Sequence, residues 1–137
     1  MTGAGDVLQV DSGNPNTTAS VQKAIKGITD KSVTTLINTH WHFDHAGGNE
    51  DLGKSGSRIF AHDNVRKRLG SDQFIEAFNR KIPASPDVAL PVLTFVDKLT
   101  IYHNGAEKHL TYVAPAHTDG DILVHFRKAN VLHGGGT

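Results

Sequence analysis

The sequence predicts a mixed α/β fold, and three observations carry that prediction. Short runs rich in β-branched and aromatic residues recur along the chain, at 7–10, 32–38, 58–61, 93–96, 99–102, 109–113 and 122–126. Between the first two runs, Val21, Ala24, Ile25 and Ile28 repeat at helical spacing while Gln22, Lys23 and Lys26 take the opposite face. Asn104-Gly105 stands between two strand-like runs, and this is the residue pair that a tight hairpin turn favours.

Taken in order, the first strand ends at Asp11-Ser12-Gly13-Asn14-Pro15-Asn16, where Gly, Asn and Pro favour turns. Thr17 or Thr18 can cap the helix that follows, whose apolar side packs on a sheet until Thr29-Asp30-Lys31 ends it. The strand at 32–38 delivers a histidine-rich loop at its carboxyl end, the place where α/β sheets open a crevice. Gly47-Gly48 permits close backbone approach before a short helical piece at 49–52. Asp63 is placed to cap a helix through Arg68, and Asp72 to cap another through Arg80. Pro83, Pro86 and Pro91 rule out regular helix over 81–91, which is expected to be a loop flanking a site as a substrate wall.

Thr39-His40-Trp41-His42-Phe43-Asp44-His45 gathers three imidazoles and one carboxylate, the nitrogen and oxygen donors that zinc accepts. His40 and His42 are two apart, so in an extended or gently curved loop both side chains leave on one side and can grip one ion. Asp44 and His45 are adjacent and point in different directions, which suits a second ion about 3.5–4 Å from the first. Trp41 and Phe43 alternate with these groups and are expected to pack beneath the loop as core. There is no cysteine, which excludes disulfides and thiolate ligands.

His40-x-His42-x-Asp44-His45, preceded by Val10-Asp11-Ser12-Gly13 and followed by Ala114-Pro115-Ala116-His117-Thr118-Asp119-Gly120-Asp121, resembles the metallo-β-lactamase-fold hydrolases. The resemblance runs from about residue 5 to the end. It implies an αββα sandwich, partial here, within a single domain over 1–137 that is shortened at both ends. It also implies zinc, one or two ions. His40, His42 and His117 would make a three-imidazole site with a fourth position left to water, whose pKa falls to about 7 on zinc. Asp44 and His45 would bind a second ion, with Asp44 also catalytic by orienting the attacking water or taking its proton. Asp11 would support the loop by accepting its backbone N–H groups. Gly136 stands where the family's bridging carboxylate is expected.

The function implied is zinc-dependent hydrolysis of an activated carbonyl: a lactam, lactone, ester or thioester. The alternative is a metal-binding fragment with weak or no turnover, lacking the bridging carboxylate. Fourteen basic and fourteen acidic residues cancel, so a small-molecule substrate is expected and not nucleic acid. No apolar run reaches the roughly 18–20 residues that span a bilayer, so no membrane partner is expected. The first residues lack a signal peptide, which leaves secretion or the periplasm to a longer precursor. An open sheet edge would favour a homo-oligomer. His62, His103, His109, His125 and His133 are expected to be partly exposed non-ligands, with His133 at the site's edge. Asp119 and Asp121 are expected to serve turn chemistry, and Arg66-Lys67-Arg68 a solvated helix face.

Overall fold

The structure is a computed structural model that describes residues 1–136, Ala77 by its backbone alone. In chain order the strands are β1 (Val7–Val10), β2 (Val33–Ile37), β3 (Arg58–His62), β4 (Gln73–Ile75), β5 (Arg80–Ile82), β6 (Leu93–Phe95), β7 (Lys98–His103), β8 (Ala106–Tyr112), β9 (Ile122–Phe126) and β10 (Val131–His133). The helices are α1 (Thr18–Lys26), α2 (Phe43–Ala46), α3 (Asn49–Lys54) and α4 (Asp63–Leu69).

Four strands pair in parallel in the order β1-β2-β3-β6. Parallel neighbours need crossovers, and the helical segments supply them. A second, antiparallel sheet has the order β10-β9-β8-β7, and its β7–β8 hairpin turns at Asn104-Gly105, both at positive φ (50° and 68°). β4 and β5 form a separate ribbon.

The alternation of side chains along each strand builds the layers. Leu8, Ile37 and Phe95 of the first sheet meet Leu110, Ile122 and Val124 of the second in a buried seam. On the other face of the first sheet, Val7, Val33, Leu36 and Ile59 pack with Leu52 of α3 and Ile25 of α1. A smaller cluster joins Ala46, Ala61, Val65, Leu69 and Leu90, with Trp41 against it. Helices, parallel sheet and antiparallel sheet are three layers of an αββα sandwich. The outer face of the second sheet carries no packed helix among the described residues, and Tyr102 and Leu132 stand exposed there. No helix among the described residues is long and apolar enough to cross a membrane.

Several local expectations are corrected. Thr17 precedes α1, but its hydroxyl donates to the Asn14 carbonyl and caps nothing; Ile28 lies beyond the helix and is exposed. His62, not Asp63, caps α4, its Nδ1 accepting from the Asn64 N–H at 3.2 Å. No long helix runs from Asp72 to Arg80. That segment is the β4–β5 ribbon with one 3-10 turn, Glu76–Phe78, between the strands. Asp72 closes the ribbon's base by accepting the Ala84 N–H at 3.0 Å and pairing with Lys81 at 3.1 Å. Asn79 adopts a left-handed φ of 45°, which ends helical geometry after three residues.

Candidate metal centre

The centre lies where the carboxyl ends of β1 and β2 meet the loop between β8 and β9. Buried polar side chains hold the strand ends together. Asn38 and Asn49 exchange reciprocal amide hydrogen bonds at 3.0 and 2.8 Å, and the Ser12 hydroxyl donates to Asn49 Oδ1 at 2.9 Å. Gly48 permits this approach: a Cβ there would stand 2.4 Å from Thr18 Oγ1 and 2.7 Å from the Ser12 carbonyl.

Asp11, at φ 56°, ends β1 beneath the histidine loop. Its carboxylate accepts the Thr39 N–H at 2.7 Å, the Thr39 hydroxyl at 2.7 Å and His45 Nδ1–H at 2.8 Å. These bonds fix two tautomers. Thr39 Oγ1 donates to Asp11 and therefore accepts from His40 Nδ1, 3.1 Å away, which leaves His40 Nε2 as a bare lone pair. His45 likewise keeps its lone pair on Nε2, 3.5 Å from Asp44 Oδ2.

His40 and His42 lie on the bent loop after β2, and the chain then turns into α2, which carries Asp44 and His45. The 113–121 loop brings in His117. It is braced by buried Asp121, which accepts the Thr118 N–H at 2.6 Å and its hydroxyl at 2.8 Å. The Ile122 N–H donates to the Thr39 carbonyl at 3.0 Å, which ties the second sheet to the histidine loop. Asp119 instead pairs with Arg68 at 3.0 Å, so that arginine is not merely solvated.

His40, His42 and His117 converge, with one ligand atom from each within 4.8 Å of the others. His117 Nε2 stands 2.9 Å from His42 Nδ1. His40 Nε2 is buried and has no partner, a state that costs about 1–3 kcal/mol unless something occupies the lone pair. Gly136 walls the cluster with backbone; a Cβ there would lie 2.8 Å from His117 Cδ2 and 3.3 Å from His40 Cε1. An orphaned imidazole nitrogen, two more facing it and a close glycine cradle fit a metal ion. Asp44 and His45 stand beside this cluster, with the His40 and His45 ring centroids 4.1 Å apart and Asp44 half exposed.

Burial pushes His40 down to about 4, with the His45 imidazole adding to the effect. Burial, then His117, also lowers His42, whereas the hydrogen bond it donates to Asp11 raises His45. Neutral imidazoles are the form that ligates. Against an unfolded value of 6.5, His40 and His42 favour the folded state fully above that pH and lose the contribution as pH falls toward about 4. His45 does the opposite: its contribution is complete below 6.5 and is lost as pH rises through its raised value. Thermal unfolding of metal-free protein is therefore expected to show maximal stability near pH 6.5, with an acid limb that shrinks in His40→Gln. A stability that rises without break from pH 5 to 9 would contradict this.

The ring of Trp41 packs against the small apolar cluster as expected of core. Phe43, equally half-buried, packs instead under the β4–β5 ribbon, with the Arg80 guanidinium 4.2 Å over its ring and Phe78 6.4 Å away. Residues 82–86 line a groove of about 260 Å³ with Trp41, Phe43 and Arg80. His62, His103, His109, His125 and His133 lie outside the cluster, but His62 is buried and not partly exposed as expected, its ring stacked on Tyr112 at 4.1 Å. Sequence reasoning missed Thr39, Ser12 and the Asn38–Asn49 pair. The available signal was small polar residues directly flanking the aspartate and the histidines.

The chain matches the family model of the metallo-beta-lactamase superfamily over residues 2–135. A hydroxyacylglutathione hydrolase of Erythrobacter litoralis (strain HTCC2594) is 42% identical over 45 residues, 32% of this chain and 18% of that protein. A metallo-beta-lactamase type 2 of Bacteroides fragilis is 27% identical over 126 residues, 88% of this chain and 44% of the other. Among solved structures, a metallo-beta-lactamase from Pontibacter korlensis superposes with a TM-score of 0.80 at 20% identity, covering 98% of this chain and 56% of that one. The chain spans less than half the length of these curated relatives. The match over almost its whole length, on a fold of the same architecture, establishes that the chain belongs to the metallo-beta-lactamase superfamily.

Proposed function

We propose that the chain forms the metal-binding part of a zinc-dependent hydrolase acting on an activated carbonyl: a lactam, lactone, ester or thioester. The observation that carries this reading is the buried, unpartnered His40 Nε2 facing His42 and His117. Zinc bound there would supply Lewis acidity and a water acidified to a pKa of about 7. His40, His42 and His117 would hold it. Asp11 and Thr39 keep His40 and His45 in the ligating tautomers. Asp44, half exposed beside His45, would orient the attacking water and accept its proton. Asp44 and His45 offer two ligands to a second ion. The groove under Arg80 and the prolines gives a small substrate a wall. The names of the curated relatives, a hydroxyacylglutathione hydrolase and a metallo-beta-lactamase, support hydrolysis without choosing the substrate. The balanced charge supports a small molecule over nucleic acid. β6, β7 and β10 lie at sheet edges, which supports pairing with a second copy.

One observation favours a second reading, a zinc-binding fragment without useful turnover: Gly136 faces His40 and His117 where a carboxylate would be needed to bridge two ions. The test is zinc per chain after chelation and reconstitution, together with hydrolysis of a chromogenic lactam, a lactone and a thioester. Turnover that disappears in His117→Ala supports hydrolysis. Turnover unchanged in that variant overturns it, and one zinc without turnover establishes the fragment.

A further inference from the structure

We propose that Arg68 is a positioning residue: its guanidinium ties the loop that presents His117 to the β4–β5 ribbon, so that the third metal ligand and the wall of the groove are held as one unit. The proposal rests on His117 being a metal ligand. His40 and His45 have their rings set by Thr39 and Asp11. His117 has no such brace: it is exposed, and among the described residues its ring nitrogens bond only to His42 Nδ1. Its place must come from the backbone that carries it.

That backbone is a turn made rigid by its own hydrogen bonds. The Thr118 N–H and hydroxyl donate to Asp121, and the Gly120 N–H donates back to Thr118 Oγ1 at 3.1 Å. What fixes the turn therefore fixes His117, and α4 does so. The Asn64 side-chain amide donates to the Asp119 carbonyl at 2.7 Å, and Gly120 lies on Val65, where a Cβ would stand 3.0 Å from Val65 Cγ2. One turn along the helix, Arg68 Nε donates to Asp119 Oδ1 at 3.3 Å and Nη2 to Oδ2 at 3.0 Å, a fork that fixes direction as well as distance. The remaining arm, Nη1, donates to Gln73 Oε1 at 3.1 Å; Gln73 Nε2–H donates to Ser71, which turns that oxygen toward the arginine. Gln73 opens β4 and pairs with Ile82 of β5, which lines the groove with Trp41 and Phe43. With side chains 46% and 36% exposed, the Arg68–Asp119 pair adds little to stability in water. Its contribution is geometric, a hold on both loop and ribbon that a single-point cation cannot reproduce.

The experiment compares zinc affinity, by competition against a chromogenic chelator, with the unfolding midpoint of the metal-free chain and with amide hydrogen exchange in the ribbon. Arg68→Ala is expected to weaken zinc binding about tenfold, the lower end of what loss of an outer partner costs, because it acts on the ligand through Asp119. The metal-free midpoint is expected to stay nearly unchanged. Arg68→Lys keeps a cation for Asp119 without the fork, and is expected to recover part of the affinity. Saturating zinc is expected to slow exchange at 73–82 in the wild type and to lose that effect in Arg68→Ala. Coupling is reciprocal, so Gln73→Ala is expected to weaken zinc binding by itself and to add nothing to Arg68→Ala. Zinc affinity that is unchanged in Arg68→Ala but lowered in His117→Ala overturns this proposal alone. Affinity unchanged in His117→Ala removes the ligand on which it rests. A metal-free midpoint that falls in step with affinity makes Arg68 a structural residue, and ribbon slowing that survives in Arg68→Ala runs through Phe43 instead; either result overturns the proposal.

Discussion

His40→Ala is expected to lower zinc affinity by more than about 100-fold, which is roughly 2.7 kcal/mol of binding free energy. Removing an outer partner of a metal ligand already costs about 10–100-fold, and this change removes a ligand itself. The effect on folding is expected to be small by comparison. Truncating a buried ring leaves a cavity and removes the donor to the Thr39 hydroxyl, which still donates to Asp11, but it also deletes the buried Nε2 that has no partner in the metal-free chain. The two contributions oppose each other. Competition against a chromogenic chelator gives the affinity, and thermal unfolding of the metal-free variant gives the stability. Unchanged zinc affinity would remove His40 from the ligand set, and a collapsed metal-free fold would make it a structural histidine instead.

Asp11→Ala is the substitution expected to damage stability most among the site residues, by about 3 kcal/mol or more. Three donors lose their acceptor at once: the Thr39 N–H, the Thr39 hydroxyl and His45 Nδ1. Charge-assisted hydrogen bonds contribute about 1.5–3 kcal/mol each, although their losses are not additive. The backbone adds to the damage, because φ is 56° here and alanine tolerates that region less well than aspartate. His45 also loses the partner that fixes its tautomer, and the Thr39 hydroxyl that accepts from His40 loses the acceptor that orients it, so zinc affinity should fall by about 10–100-fold. Asp11→Asn, which keeps the backbone preference and one good acceptor, is expected to lie between wild type and alanine. Urea unfolding midpoints read the first effect, and zinc competition reads the second. Equal midpoints for wild type and Asp11→Ala would show that the carboxylate is a plain turn residue.

Much of this architecture is legible in the sequence because its signals are local. Val7–Val10, Val33–Ile37 and Ile122–Phe126 are strands because β-branched and aliphatic residues fill them, and Asn104-Gly105 fixes a hairpin through its positive φ values. The three clustered histidines follow from spacing for two of them and from the family resemblance for His117. The failures are tertiary. Residues 72–80 have a helical composition, yet the Asp72 carboxylate bonds to Ala84 and Lys81 across the ribbon, partners that no local pattern reveals. Phe43 alternates with the ligands as a core residue would, but a ribbon more than thirty positions downstream places Phe78 and Arg80 on it. The role of Thr39 is equally hidden, since a threonine before a histidine says nothing until an aspartate 28 residues away is seen to accept from it.

The 2.9 Å approach of His42 to His117 spans 75 positions of chain, and that separation has a kinetic meaning. Closing so long a loop is entropically costly, and contacts of this range, like the Ile122–Thr39 bond between the two sheets, are expected to form late. An ion held by both histidines therefore recognises only the assembled sandwich and contributes little at the folding barrier. Its stabilisation would accrue to the native side, so zinc held there is expected to lengthen the lifetime of the folded chain by slowing unfolding while leaving the rate of folding nearly unchanged.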